Sequence, residues 1–115
     1  MSVVVSLSLA TICFLDQCYP ALVGTTTPMG HYQLSERRVL SPGYGGDVLS
    51  FKEDAHDLFA IHRLWLGSPG ERRPQRLAST QASQRQGVTG GCINIAPEVY
   101  AKLSDCCTNA DLLIE

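Results

Sequence analysis

Two residue clusters in this chain have the types and spacing for acyl-transfer chemistry. One is Thr89-Gly90-Gly91-Cys92-Ile93-Asn94, and the other is Ala60-Ile61-His62, upstream of that cysteine. Glycine before a thiol lets the backbone bend tightly and lets a carbonyl approach closely. The amides of such a turn can face a developing oxyanion. The thiolate is the reactive form of cysteine, so a histidine brought alongside by the fold could take the thiol proton. The other cysteines are Cys13, Cys18, Cys106 and Cys107. Cys13 and Cys18 could face each other across a hairpin, and the odd total leaves at least one thiol free. For Cys13 an unpaired, buried role as a small hydrophobe is the expectation. There is no Cys-x-x-Cys pair and no histidine at ligand spacing from a cysteine. Neither a metal nor another cofactor is expected.

The elements that must position these residues read as short strands. Val3–Phe14 is rich in β-branched residues and reads as the first strand, with a turn at Asp16-Gln17. Cys18–Val23 reads as the return strand, and Pro20 argues for an edge or a bulge. His31–Leu34, Val48–Phe51 and Leu58–Trp65 follow as strands, with loop at Ser41–Gly46 and an acidic patch over Lys52–Asp57. Gly67–Gly87 is polar and long for a loop in a compact domain. Pro97 opens one helix over Glu98–Leu103, and Asp111–Glu115 closes the pattern as a strand. No βαβ rhythm is present, so the expected architecture is mainly β, a sandwich or barrel with one short helix after the cysteine.

A chain of 115 residues, 44% hydrophobic and 17% charged, suits one domain spanning 1–115. Its net charge of −2 gives no global attraction to nucleic acid or an anionic membrane. No apolar run is long enough for stable membrane insertion. Arg72, Arg73, Arg76 and Arg85 cluster in one polar segment that reads as a solvated loop, although such a cluster could also meet carboxylates. His56, among Asp54 and Asp57, reads as a surface residue, and Trp65 and Tyr44 as packing residues. Met1–Phe14 lacks the basic n-region of an export signal. Either such a signal is missing from this chain or the chain begins inside the domain.

Three motifs in order resemble the L,D-transpeptidase catalytic domain, the YkuD-like or ErfK-like family, over residues 3–115. They are Thr27-Pro28-Met29-Gly30-His31-Tyr32, Ile61-His62-Arg63 and Thr89-Gly90-Gly91-Cys92-Ile93-Asn94. The resemblance implies Cys92 as nucleophile, His62 as the group that activates it, and the backbone carbonyl of Arg63 as the third member that orients the imidazole. It also implies the N–H groups of Gly91 and Cys92 as oxyanion donors. Thr89 and Asn94 are expected to hold the loop beside the substrate. His31, in the variable place of its motif, and Arg76 are candidate substrate contacts.

The implied reaction is acyl transfer on peptidoglycan stem peptides through a Cys92 thioester, at a periplasmic or cell-wall location. Carboxypeptidase trimming, a toxin domain or a degenerate wall-binding domain are the alternatives. Oligomeric state is left open. The pattern departs from the family in three ways. Gly90 stands where a histidine is usual, Arg63 where a small residue is usual, and the His62–Cys92 gap is longer by most of Gly67–Gly87. A histidine beside the thiol also implies a lowered thiol pKa, with reactivity persisting below neutral pH.

Overall fold

The computed structural model describes residues 2–115, so Met1 of the expected 1–115 domain lies outside the described residues. Among the described residues, nine strands form two sheets. The first sheet contains β1 (Ser2–Ser6), β2 (Thr11–Phe14), β3 (Gln17–Pro20), β4 (Gly30–Gln33) and β9 (Asp111–Ile114), in the order β3-β2-β1-β9-β4. The second contains β5 (Ser35–Arg37), β6 (Val48–Glu53), β7 (Leu58–Arg63) and β8 (Ile93–Ile95), in that spatial order. Helix α3 (Pro97–Cys106) follows β8, with Pro97 in its first turn where a missing N–H costs nothing.

Alternation drives the five-stranded sheet. Val3 and Val5 of β1, Ile12 and Phe14 of β2, and Leu112 and Ile114 of β9 all turn inward. They meet Leu49, Phe51, Ile61, Ile93 and Ile95 of the second sheet and Val99, Tyr100 and Leu103 of α3 in one continuous core. β1 pairs antiparallel with β2 but parallel with β9.

Several expectations are refined. Val3–Phe14 is a hairpin rather than a single strand, folding back through residues 7–10 with Ala10 at φ 51°. The next turn is centred on Leu15-Asp16, one residue earlier than expected. Both residues have positive φ (51° and 65°), as a two-residue hairpin loop requires. Pro20 ends β3, which is indeed an edge strand. The short strands β5 and β8 had no sequence signal.

Gly67–Gly87 is not plain loop: it holds a 3-10 turn at Pro69–Glu71 and two short helices, α1 (Arg73–Leu77) and α2 (Ala82–Arg85). Cys13, directly opposite Cys18 in the β2–β3 register, is disulfide-bonded to it rather than unpaired. Cys106 and Cys107 form a vicinal disulfide, leaving Cys92 as the free cysteine.

Candidate active site

His62 and Asn94 are register partners on the parallel strands β7 and β8. Their neighbours Ile61 and Ile93 are fully buried in the core. Side chains alternate along a strand, so His62 and Asn94 project from the opposite face. They are nevertheless covered, at 2% and 0% exposure. Tyr44 lies edge-on to the imidazole with ring centroids 4.6 Å apart. The imidazole Nδ1 lies 2.6 Å from the Arg63 backbone carbonyl. A carbonyl only accepts, so Nδ1 carries the proton and Nε2 presents its lone pair. That lone pair accepts a long 3.4 Å hydrogen bond from Asn94 Nδ2.

The cysteine loop is fixed from below by the Thr25-Thr26-Thr27 segment. Thr26 Oγ1 donates to the Gly90 carbonyl at 3.1 Å and Thr27 Oγ1 to the Gly91 carbonyl at 3.0 Å. Thr27 Oγ1 also accepts from the Gly24 N–H at 2.9 Å, which ties the loop back to its own support. Above, Thr89 Oγ1 donates to the Cys92 carbonyl at 2.6 Å and accepts from the Gly91 N–H at 3.1 Å. Gly91 sits at φ 124°, and a Cβ there would meet Phe59 at 2.5 Å, so this position admits only glycine. At Gly90 a Cβ would meet nothing within 4 Å.

Cys92, His62, Tyr44, Trp65, Arg73, Thr89 and Gly90 line one cavity of about 220 Å³. Arg73 enters it from α1. Its Nη1 donates to Asn94 Oδ1 at 3.0 Å and its Nε to Glu71 Oε1 at 2.6 Å, and its guanidinium lies 4.8 Å from the Trp65 ring. Asn94 Oδ1 also accepts from the Trp65 N–H at 3.0 Å, so one amide joins β7, β8 and α1. The indole is seated against glycines: a Cβ on Gly43 or Gly67 would come within 2.3 or 2.2 Å of it.

Electrostatics here run against an ion pair at rest. Burial lowers the His62 pKa to about 4, with the Arg73 charge adding to the lowering and the Arg63 carbonyl opposing it. Burial also pushes the Cys92 thiol above its ordinary value, partly offset by the Ala60 backbone and Arg73. The thiol donates to the Leu58 carbonyl at 3.6 Å, not to His62. The resting pair is therefore neutral thiol and neutral imidazole in one cavity, each hydrogen-bonded elsewhere. This corrects the expectation of a lowered thiol pKa: burial outweighs proximity.

The same fold occurs in solved structures. An L,D-transpeptidase from Mycobacterium smegmatis superposes with a TM-score of 0.63 at 18% identity, covering 99% of this chain and 58% of that one. The fold is that of the L,D-transpeptidases. L,D-transpeptidase 1 of Mycobacterium tuberculosis matches with a TM-score of 0.58 at 18% identity, over 98% of this chain and 57% of that one. The helical cell shape determining protein Pgp2 from Campylobacter jejuni matches with a TM-score of 0.61 at 14% identity, over 99% and 46%. The chain thus spans about half the length of these structures. No family model matches it, and no curated protein does.

Within this L,D-transpeptidase fold, Cys92, His62, Thr89 and Asn94 come together, and the Arg63 carbonyl holds the imidazole. The Arg63 side chain turns away, donating to the Asp47 carbonyl at 3.0 Å and stacking 4.2 Å over Tyr100. The Gly91 N–H is engaged by Thr89 and is not directed at the cavity in this state.

Two candidate contacts lie elsewhere. His31 sits on β4 opposite Leu113 and lines a separate cavity on the five-stranded sheet. Arg76 donates through Nε to the Gln84 carbonyl at 2.6 Å and through Nη2 to the Gln86 carbonyl at 3.0 Å, bracing the insert. Nor are the four arginines a solvated group, because Arg85 is buried with its guanidinium on the carbonyls of Ala10, Leu9 and Ser79. Trp65 and Tyr44, expected to serve in packing, line the cavity, and of the arginine cluster only Arg73 does. His56 is exposed.

Among the described residues no group of three His, Cys, Asp or Glu side chains could hold a metal ion, and no helix is long and apolar enough to cross a membrane.

Proposed function

We propose that this chain performs cysteine-dependent acyl transfer on peptidoglycan stem peptides, in the manner of an L,D-transpeptidase. The observation that carries the reading is the His62 tautomer. The Arg63 carbonyl holds the proton on Nδ1, which leaves Nε2 as the basic nitrogen of an imidazole that lines the same cavity as the free thiol. The L,D-transpeptidase fold supports the same reading.

When substrate binds, rotation of the Cys92 side chain away from Leu58 and displacement of the long Asn94 contact bring Sγ to Nε2. His62 takes the thiol proton as the Sγ–carbon bond forms on the substrate carbonyl. The tetrahedral intermediate collapses, the amide C–N bond breaks, and the imidazolium returns the proton to the departing amine of the terminal D-residue. A group whose pKa lies near 4 is a strong acid once protonated, so burial favours that second transfer. The Cys92 N–H is the oxyanion donor in this scheme, joined by the Gly91 N–H once Thr89 releases it. An amine from a second stem then attacks the thioester and forms a cross-link. Water as acceptor would instead give carboxypeptidase trimming.

Two disulfides suit an oxidising compartment, which supports a periplasmic or cell-wall location. A catalytically silent wall-binding domain is the second reading, favoured by the raised thiol pKa and by Gly90 in the histidine place.

Intact-mass measurement after incubation with a tetrapeptide muropeptide separates these readings. Transpeptidation gives a Cys92-dependent acyl-enzyme and dimeric muropeptide, and trimming gives tripeptide alone. An unmodified protein with unchanged muropeptide, in the wild type as in Cys92→Ala, would leave the wall-binding domain.

A further inference from the structure

Of the seven residues lining the Cys92 cavity, Arg73 alone carries a permanent charge. Its situation differs from that of every other arginine in the insert. Arg76 and Arg85 commit their guanidiniums to backbone carbonyls, and Arg72 is exposed. Arg73 instead contacts side chains: Nε bonds Glu71, Nη1 bonds Asn94, and the face stacks on Trp65. No acceptor among the described residues takes its Nη2. The side chain is only 11% exposed, while Glu71 is 40% exposed and lies on the solvent side of the pair. A guanidinium held flat and directional in this way is prepared for bidentate binding of a carboxylate. Its charge already reaches both reacting groups, since it lowers the pKa of His62 and of Cys92.

We propose that Arg73 is the carboxylate-binding group of this site, receiving the terminal carboxylate of the acyl-donor peptide one residue beyond the carbonyl that Cys92 attacks. The peptide identity of the donor rests on the function proposed above. The preference for an anion beside the thiol does not. Cys92 and Arg73 line the same cavity of about 220 Å³, so a donor bound there meets both groups. The contact would select donors with a free C-terminus directly after the cleaved bond. It would also fix their direction of binding, since the opposite orientation places an amine or a longer chain against a cation. Glu71 is the counter-ion that the incoming carboxylate displaces or joins, and Asn94 links the carboxylate site to the imidazole.

Alkylation of Cys92 by iodoacetate and by neutral iodoacetamide tests the anion site without any peptide. Cys92 is the free cysteine, so intact mass reports on it alone. Changes in thiol pKa affect both reagents equally and cancel in the rate ratio. Relative to 2-mercaptoethanol, wild type should favour iodoacetate by about fivefold or more. Arg73→Gln should lose that preference, Arg73→Lys should keep part of it, and Glu71→Gln should increase it. A wild-type ratio equal to that of the small thiol, or a ratio unmoved in Arg73→Gln, overturns the proposal.

A second arm compares tetrapeptide donors with a free and an amidated C-terminus. The acid should show the lower KM by about tenfold in wild type, and the difference should vanish in Arg73→Gln. Equal KM values for acid and amide in the wild type overturn the proposal. If neither peptide acylates the protein while the iodoacetate preference persists, the carboxylate site stands and the peptide function fails.

Discussion

The two segments that face each other across the Cys92 cavity are built differently. The Thr89–Asn94 loop is short and is held by hydrogen bonds from three threonines and by a glycine that nothing else can replace. The insert that carries Arg73 has little apolar material, with Leu77 its buried hydrophobe. It is held by arginines that reach for carbonyls. Arg85 bonds the Leu9 and Ala10 carbonyls of the β1–β2 turn, and Gln86 bonds those of Leu7 and Ser8. Cys92 is thus placed by backbone geometry and the Arg73 charge by long side chains. A change of one atom should damage the first, while the second should fail by degrees.

The largest effect that would test this contrast is expected at Gly91. Alanine there combines a left-handed φ with a 2.5 Å collision against Phe59. The expected loss is roughly 3 kcal/mol or more of unfolding free energy, read by denaturant titration. A loss under 1 kcal/mol would mean that the loop is not sterically fixed.

Arg85→Ala comes next, at about 3 kcal/mol, because buried carbonyls lose a charged donor. Arg76→Ala, which is less buried, should cost about 1 kcal/mol. Equal costs for the two would erase the graded failure expected of the insert.

The third effect depends on pH. The folded pKa of His62 lies near 4, below the unfolded value of about 6.5, so the unfolded chain binds more protons between those values. Its contribution to stability is complete above pH 6.5 and is lost as pH falls toward 4, by up to roughly 3 kcal/mol. Comparing unfolding of wild type and His62→Gln at pH 7 and pH 4.5 isolates it. Parallel pH dependence in the two proteins would contradict a buried neutral imidazole. For the same reason, Cys92 alkylation by iodoacetamide should be slow below neutral pH and rise only toward alkaline pH. The smallest effect belongs to Gly90→Ala, within about 0.5 kcal/mol, since the added Cβ enters open space.

Much of the site was legible because its chemistry is tied to local sequence. The glycines, Cys92 and the His62–Arg63 pair lie in contiguous motifs, and a backbone carbonyl needs no particular side chain. The insert was not legible. Four arginines in one polar run look alike, and what separates them is their phase on two helices of five and four residues, too short for a periodic pattern. Arg76 therefore drew the substrate-contact expectation, although Arg73 is the arginine that lines the Cys92 cavity. The β1–β2 hairpin was hidden for a related reason. Its turn residues include neither Gly, Pro, Asn nor Asp, and Ala10 adopts a left-handed conformation without sequence warning. His31 matched a motif place, but it is exposed on β4 of the five-stranded sheet, whereas His62 is on β7 of the other sheet.

The parallel pairing of β1 with β9 has a consequence for how the molecule is made. The five-stranded sheet is joined at its centre by strands from opposite ends of the domain. A chain emerging in sequence order can close the β1–β2–β3 hairpins early, yet β1 keeps an open edge until the last strand arrives. The five-stranded sheet is therefore complete only once Asp111–Ile114 pairs with β1.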